Sequence, residues 1–133
     1  MLTIPELERR GEGFLPGLFG IEFVEVGAKL VVARLGLKSE HMAPNGFLHA
    51  ATVVALADTA CGYGCLATLP EGAQSFTTIE LKTNYLGTAR EGAIRAEAIL
   101  VHGGRTTQVW DATVTNEAGK TLAIFRCTQL LLY

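Results

Sequence analysis

The hydrophobic pattern of the chain centres on the stretch from Asn45 to Cys65, which is almost entirely small and apolar after Gly46. This stretch lacks the polar face of a surface helix, and a helix that is apolar all round is a buried one. The pattern therefore predicts a buried helix over residues 48–66. One carboxylate, Asp58, lies in the middle of it.

The segments on both sides of this helix predict a short N-terminal helix and a series of strands. Thr3, Pro5 and Glu6 form a capping-box pattern, which predicts a helix over residues 3–10. A polar loop is predicted over residues 38–47, just before the buried helix. The strands are predicted over residues 18–26, 29–37, 75–86, 92–102, 106–116 and 120–132.

The predicted strands after the helix have about 10–12 residues, more than the usual length of about 5–6. A mostly antiparallel sheet of such strands must curl in order to cover a single helix. The predicted fold class is therefore α+β, with the geometry of a hotdog fold: one long central helix wrapped by a curved sheet of five to six strands. At 133 residues the chain is expected to form a single domain, residues 1–133.

Composition and charge limit the class of partner. Because 49% of the residues are hydrophobic and 18% are charged, we expect another subunit to cover part of the apolar surface. The net charge of −2 argues against nucleic acid as a partner. Asp58 and His49 within the apolar run argue against membrane insertion. The N-terminus lacks the features of a signal peptide, and three cysteines without framework spacing fit a reducing compartment, so we expect a cytoplasmic protein.

Asp58 is the first candidate for a catalytic group. Burying a lone carboxylate costs several kcal/mol or raises its pKa unless partners are supplied, and perturbed carboxylates gather at functional sites. A carboxylate held by backbone amides is the structural alternative. His49 lies nine residues earlier, about 180° round the helix and roughly 13 Å along it. A site that uses both side chains would therefore take them from two protomers, with two identical sites per dimer.

The start of the predicted helix offers a second chemical feature. The backbone N–H groups around His49 and Ala50 are unpaired donors at the positive end of the helix dipole. Such an end can hold an oxyanion that develops on an acyl carbonyl.

Other catalytic and metal-binding patterns are missing from the sequence. Neither Ser39 nor Ser75 lies in a G-x-S-x-G turn. Cys61 and Cys65 are four residues apart on the predicted helix, a spacing that favours core packing. The three histidines have no ligand-like spacing with the cysteines, and we expect no metal and no cofactor.

Four motifs carry a resemblance to a known family. They are G-F-L-H at 46–49, L-A-D-T-A at 56–60, the strand at 77–86 and G-R-T at 104–106. In these motifs the sequence resembles the hotdog-fold acyl-CoA thioesterases of the phenylacetate-pathway type, and the resemblance covers roughly residues 18–132. It implies hydrolysis of the thioester bond of an acyl- or aryl-CoA to the free acid and CoA, with CoA as part of the substrate rather than a cofactor.

The resemblance also implies roles for single residues. Asp58 would attack the thioester carbonyl or activate water, and the Ala50 N–H would hold the oxyanion. His49 would flank that donor and orient the thioester, and the Thr78 hydroxyl would hold the attacking water. Two turns, 86–92 and 102–107, are either plain β-turns or binding sites for the nucleotide and pyrophosphate. The residues implied in substrate or CoA binding are Gly46, Thr77, Thr88, Arg90, Gly104, Arg105 and Thr106.

Two positions depart from the family pattern. Ala50 stands where the family usually has glycine, and it keeps the backbone N–H. Ala43 stands where the family usually has Asn or Gln, six residues before His49. Asn45 is therefore the candidate to reach the same region from a different point of the loop.

The expected assembly is a homo-oligomer, a dimer with shared sites that further pairs into a dimer of dimers. Two alternatives to a thioesterase remain open on the same fold. One is a non-catalytic protein that binds acyl-CoA or acyl lipids, and the other is an enoyl-CoA hydratase or dehydratase.

Overall fold

The computed structural model describes residues 2–133. Helix α1, Ile4–Gly11, begins with the predicted capping box. Thr3 Oγ1 accepts a hydrogen bond from the Glu6 N–H (3.4 Å), and Glu6 Oε2 accepts one from the Thr3 N–H (2.6 Å). These bonds satisfy two backbone donors that a helix start otherwise leaves unpaired.

The predicted strand at 18–26 is wrong in its first part, which is helical. A short helix α2, Leu15–Phe19, has Pro16 in its first turn and ends at Gly20 in the left-handed conformation (φ 83°). Proline is favoured at the start of a helix and glycine just after its end. These two residues outweigh the strand-like composition, and strand β1 covers Glu22–Val26 alone.

The remaining strands agree with the prediction to within about one residue at each end. They form one six-stranded sheet in the order β1-β2-β4-β5-β6-β3, with every neighbouring pair antiparallel. Strands β1 and β3 are thus the two edges, and β3 reaches its edge by pairing with the last strand. The strand bounds are β2 Leu30–Gly36, β3 Ser75–Tyr85, β4 Ala93–Gly103, β5 Thr107–Asn116 and β6 Thr121–Leu132.

The long helix α3, Ala50–Ala67, packs on one face of this sheet, and the architecture is the predicted hotdog fold. Two glycines allow the close approach. A Cβ at Gly62 would lie 3.0 Å from the Phe76 ring, and one at Gly64 would lie 2.6 Å from the Trp110 ring. The helix therefore packs closely against Phe76 of β3 and the fully buried Trp110 of β5.

One side of α3 is not covered within this chain. Ala51 is exposed, and Val54, Ala55 and Asp58 are half-buried. Their spacing of three and four residues places them on a single stripe of the helix. The helix has the length and the apolar composition of a membrane span, and 56% of it is buried inside the protein.

Candidate active site

Asp58 lies on the uncovered stripe of α3 and is the chemically distinctive group there. Its Oδ1 atom is buried and accepts no hydrogen bond from any described residue. Removal of the carboxylate from water raises the pKa of Asp58 above its ordinary value of 3.8. The backbone-amide partners of the structural alternative are therefore not found at this oxygen, which remains available as a proton acceptor.

Strand β3 crosses α3 in the antiparallel direction, and this crossing locates Asp58. The Phe76 ring lies against Gly62 near one end, and the Tyr85 hydroxyl donates to the Ala50 carbonyl oxygen (2.8 Å) near the other. Asp58, one helical turn before Gly62, lies between the two contacts. The segment of β3 next to Phe76 is thus the segment that passes the carboxylate.

Thr78 lies in this segment, and its hydroxyl is already bonded. Thr78 Oγ1 donates to the side-chain Oε1 of Gln129 on β6 (2.7 Å). Thr77, the next residue to it, is exposed and points to the opposite face because side chains alternate along a strand. Of the two threonines, Thr78 is the one that faces the helix.

The entrance to α3 is held by two histidines. The N-cap residue His49 accepts the Ala51 N–H on Nδ1 (2.9 Å), so in the neutral ring the hydrogen is on Nε2, and this side chain is exposed. The His49 N–H donates to the His41 carbonyl oxygen (3.2 Å). His41 is itself buried, with Nδ1 accepting from the Lys38 N–H (2.9 Å) and Nε2 near the Phe19 carbonyl oxygen (2.9 Å).

The first N–H of the helix proper is an unpaired donor within the described residues. Ala50 is exposed, and its N–H has no acceptor among residues 2–133. Asn45 lies in the entry turn, where its Oδ1 accepts the Phe47 N–H (3.2 Å), so its side-chain NH₂ is the group that remains to donate a hydrogen bond. Gly46 supplies the left-handed conformation that this turn requires (φ 86°).

The turn at 86–92 contacts the residues just before helix α3. Thr88 Oγ1 accepts the Leu48 N–H (3.2 Å), and the Arg90 guanidinium lies 4.3 Å from the centre of the Phe47 ring, a cation–π distance. The structure therefore brings Thr88 and Arg90 together with the predicted oxyanion-binding end of α3.

The glycine hairpin at 103–106 lies at the other end of the helix. Its neighbour Gln108 donates through Nε2 to the carbonyl oxygen of Thr68, the residue that follows α3 (3.2 Å). The backbone of the hairpin is held by the C-terminus of the chain, since Tyr133 donates to the Arg105 carbonyl oxygen and the Leu131 N–H to that of Thr106. The structure therefore does not bring Gly104, Arg105 and Thr106 together with Arg90 in one chain.

No group of three or more His, Cys, Asp or Glu side chains is arranged to hold a metal ion within residues 2–133. Cys61, Cys65 and Cys127 are buried free thiols, and burial raises the pKa of Cys65 to about 12. All three thiols pack as small apolar groups.

Comparison with known proteins gives a consistent assignment. Residues 45–123 match the family model described as the thioesterase superfamily. The chain is 31% identical to 1,4-dihydroxy-2-naphthoyl-CoA hydrolase of Escherichia coli, over 98% of this chain and 96% of that protein. It is 34% identical to the protein of the same name from Listeria monocytogenes, over 82% and 88%. A solved thioesterase structure from Haemophilus influenzae superposes with a TM-score of 0.93 at 26% identity, covering 99% of this chain and 92% of that one.

Proposed function

Because the chain belongs to the thioesterase superfamily, we propose that it hydrolyses the thioester bond of an acyl- or aryl-CoA to the free acid and CoA. Family membership confirms the prediction of a thioester hydrolase, and the names of the relatives support a CoA ester as substrate. The observation that carries the proposal is the buried Oδ1 of Asp58, which has no hydrogen-bond donor among the described residues.

Asp58 acts as the general base in this proposal. Its carboxylate takes a proton from a water molecule, and the water oxygen attacks the thioester carbonyl carbon. The tetrahedral intermediate then collapses with cleavage of the carbon–sulfur bond, and the proton passes to the CoA thiolate. The raised pKa of Asp58 supports this role, since a base works best when its pKa approaches the working pH.

The start of α3 stabilises the negative charge that forms on the carbonyl oxygen. The Ala50 N–H is an exposed donor at the positive end of the helix dipole. The His49 Nε2–H is a second donor beside it, because Nδ1 is occupied as the helix cap. The methyl group of Ala50 leaves this backbone donor intact.

Each site is completed by a second copy of the chain. Nine residues of helix separate His49 from Asp58, roughly 13 Å along the axis, so one chain supplies two half-sites. The surface around Asp58 supports an interface, since Leu81 and Tyr85 on β3 are 41% and 45% exposed beside the uncovered stripe of α3. Strand β3 also has an edge to which no other described strand pairs, and a two-fold axis there would extend the sheet from one copy to the other.

The positions of the two arginine turns also support a two-fold dimer. A two-fold axis through the β3 edge makes the two copies of α3 antiparallel, so the start of one helix lies beside the end of its partner. This arrangement brings the Arg90 turn of one protomer toward the Arg105 hairpin of the other, and both would hold the CoA phosphates. The exposed Ile99 and Ile124 on the outer face of the sheet are where two such dimers would pair.

The test is a panel of acyl- and aryl-CoA esters assayed for release of free thiol. The wild-type protein hydrolyses at least one of them, and Asp58→Asn lowers kcat by about 10²-fold or more. Asp111→Asn is the matched control, because Asp111 lies on the outer face in an ion pair with Arg126, and its activity stays at the wild-type level. Equal activity of Asp58→Asn and wild type, or no hydrolysis of any ester, contradicts the proposal.

A non-catalytic acyl-CoA-binding protein is the second candidate. Ala43 favours it, because a methyl group cannot polarise a thioester carbonyl, and the Asn45 side chain is partly engaged in the entry turn. This candidate predicts saturable binding of the CoA ester with no release of thiol in the same assay.

A further inference from the structure

We propose that Gln129 is a positioning residue that fixes the direction of the Thr78 hydroxyl and thereby orients the attacking water toward the thioester. This inference rests on the proposed function, in which Asp58 accepts a proton from that water. It concerns a residue of the last strand that touches neither substrate nor water and acts through Thr78.

Gln129 is a fully buried polar side chain on the helix-facing side of β6. It pairs in register with Thr78 on β3, and its Oε1 accepts the Thr78 hydroxyl hydrogen at 2.7 Å. Its amide nitrogen donates to Cys127 Sγ at 3.3 Å, a weak acceptor. The hydrogen bond to Thr78 is therefore the strong interaction that Gln129 makes in exchange for leaving water.

This bond decides what the Thr78 oxygen can offer to a third group. A hydroxyl has one hydrogen, and Thr78 donates that hydrogen to Gln129. Toward any third group Thr78 Oγ1 can therefore only accept a hydrogen bond. A water bound there must donate one hydrogen to Thr78, and its other hydrogen is then directed to the Asp58 carboxylate. With both hydrogens assigned, the oxygen lone pair faces away from the two protein groups and toward the thioester carbon.

Loss of Gln129 removes this constraint without removing the hydroxyl. The Thr78 hydrogen can then be donated to the Asp58 carboxylate or to the water itself. In the first case the Asp58 carboxylate already accepts a hydrogen bond and is less able to take a proton from water. In the second case the water lone pair accepts the Thr78 hydrogen and cannot attack the thioester carbon. Either arrangement lowers the rate of attack while leaving the surfaces that bind the substrate unchanged.

Gln108 is a control residue, because it is a second buried glutamine that does not contact Thr78. It is 2% exposed, lies on β5 and pairs in register with Gln129. Its side chain bonds to Trp110 and Thr68 rather than to Thr78. Replacement of Gln108 therefore tests the cost of removing a buried amide from the same row of the sheet.

The experiment compares Gln129→Met with Gln108→Met in steady-state hydrolysis of an acyl-CoA ester that the wild-type protein uses. We expect Gln129→Met to lower kcat by about tenfold or more with little change in KM, and Gln108→Met to lower the melting temperature with little change in kcat. In a Thr78→Val background, Gln129→Met has no further effect on kcat, because the group through which it acts is gone.

Gln129→Asn gives a second measurement if Gln129→Met does not fold, since it keeps an amide in the core but is too short to reach Thr78. It is expected to lower kcat in the same way. The inference is overturned if Gln129→Met lowers kcat by the same factor with and without Thr78, if Gln108→Met lowers it equally, or if both Gln129 variants match the wild type. These outcomes presuppose an active wild type, whereas a wild-type protein inert toward every ester rejects the proposed function itself.

Discussion

At the scale of the residue, Asp58 carries a cost in stability, which the proposed function explains as the cost of holding a general base. The carboxylate lies in an apolar helix with one oxygen buried and unpaired among the described residues, an arrangement that disfavours its charged form. A single carboxylate in an apolar helix is visible in the sequence, which is why Asp58 could be predicted. Gln129 could not, because a glutamine in a strand usually faces solvent, and its burial depends on the pairing of β6 with β3.

Asp58→Asn is expected to stabilise the protein near neutral pH. The folded-state pKa of Asp58 is raised above the ordinary value of 3.8, so the folded state binds more protons than the unfolded state between these two pKa values. Stability therefore falls as pH rises through that window. The melting temperature of Asp58→Asn should exceed that of the wild type at about pH 7, and the difference should shrink toward pH 4. The exposed control Asp111→Asn should show no such gain, and a less stable Asp58→Asn at neutral pH would contradict this account.

At the scale of the element, the proposed function uses the backbone of helix α3 as well as its side chains. The loop from His41 to His49 is fixed at the start of this helix, since the His49 N–H donates to the His41 carbonyl oxygen and His49 Nδ1 accepts the Ala51 N–H. His49 has an extended backbone (φ −67°, ψ 133°), which is the conformation required of a residue that precedes proline.

Ala50→Pro removes the proposed oxyanion donor with little disturbance of the helix. Proline is favoured at the first position of a helix, where its missing N–H has no helical partner. We expect Ala50→Pro to fold with near wild-type stability and to lose about 10²–10³-fold in kcat. Ala50→Gly keeps the N–H and should retain activity. An active Ala50→Pro enzyme would exclude this N–H from the mechanism.

The elements were largely predictable because their signals are local, whereas their contacts were not. The capping box of α1 and the strands after α3 follow from neighbouring residues. The prediction of a strand over residues 18–26 was wrong for the last two residues of helix α2. Leu18 and Phe19 suit either structure, and Pro16 and Gly20 favour the helix. The bond from Tyr85 to the Ala50 carbonyl oxygen joins residues 35 positions apart, and no local pattern indicates it.

At the scale of the whole molecule, the two groups of residues that the proposed function assigns to one site do not meet within one chain. The start of α3, with Thr88 and Arg90, lies away from Asp58 and from the Arg105 hairpin at the opposite end of the helix. In the proposed dimer, a second copy supplies the other group of residues at the exposed inner surface of β3 beside Asp58. The helix geometry already predicted from the sequence that His49 and Asp58 lie apart, whereas the separation of the Arg90 turn from the Arg105 hairpin appears in the structure alone.

The most direct test of this account is complementation between two inactive variants, Asp58→Asn and Ala50→Pro, co-expressed so that their subunits mix. A hybrid dimer contains one site with an intact Asp58 from one chain and an intact helix start from the other. Random mixing makes half of the dimers hybrid, each with one working site of two, so about a quarter of wild-type activity should return. Co-expression of Ala50→Pro with a chain that carries both substitutions should restore nothing. If the mixed variants show no more than the sum of their separate activities, the site is not shared between two chains.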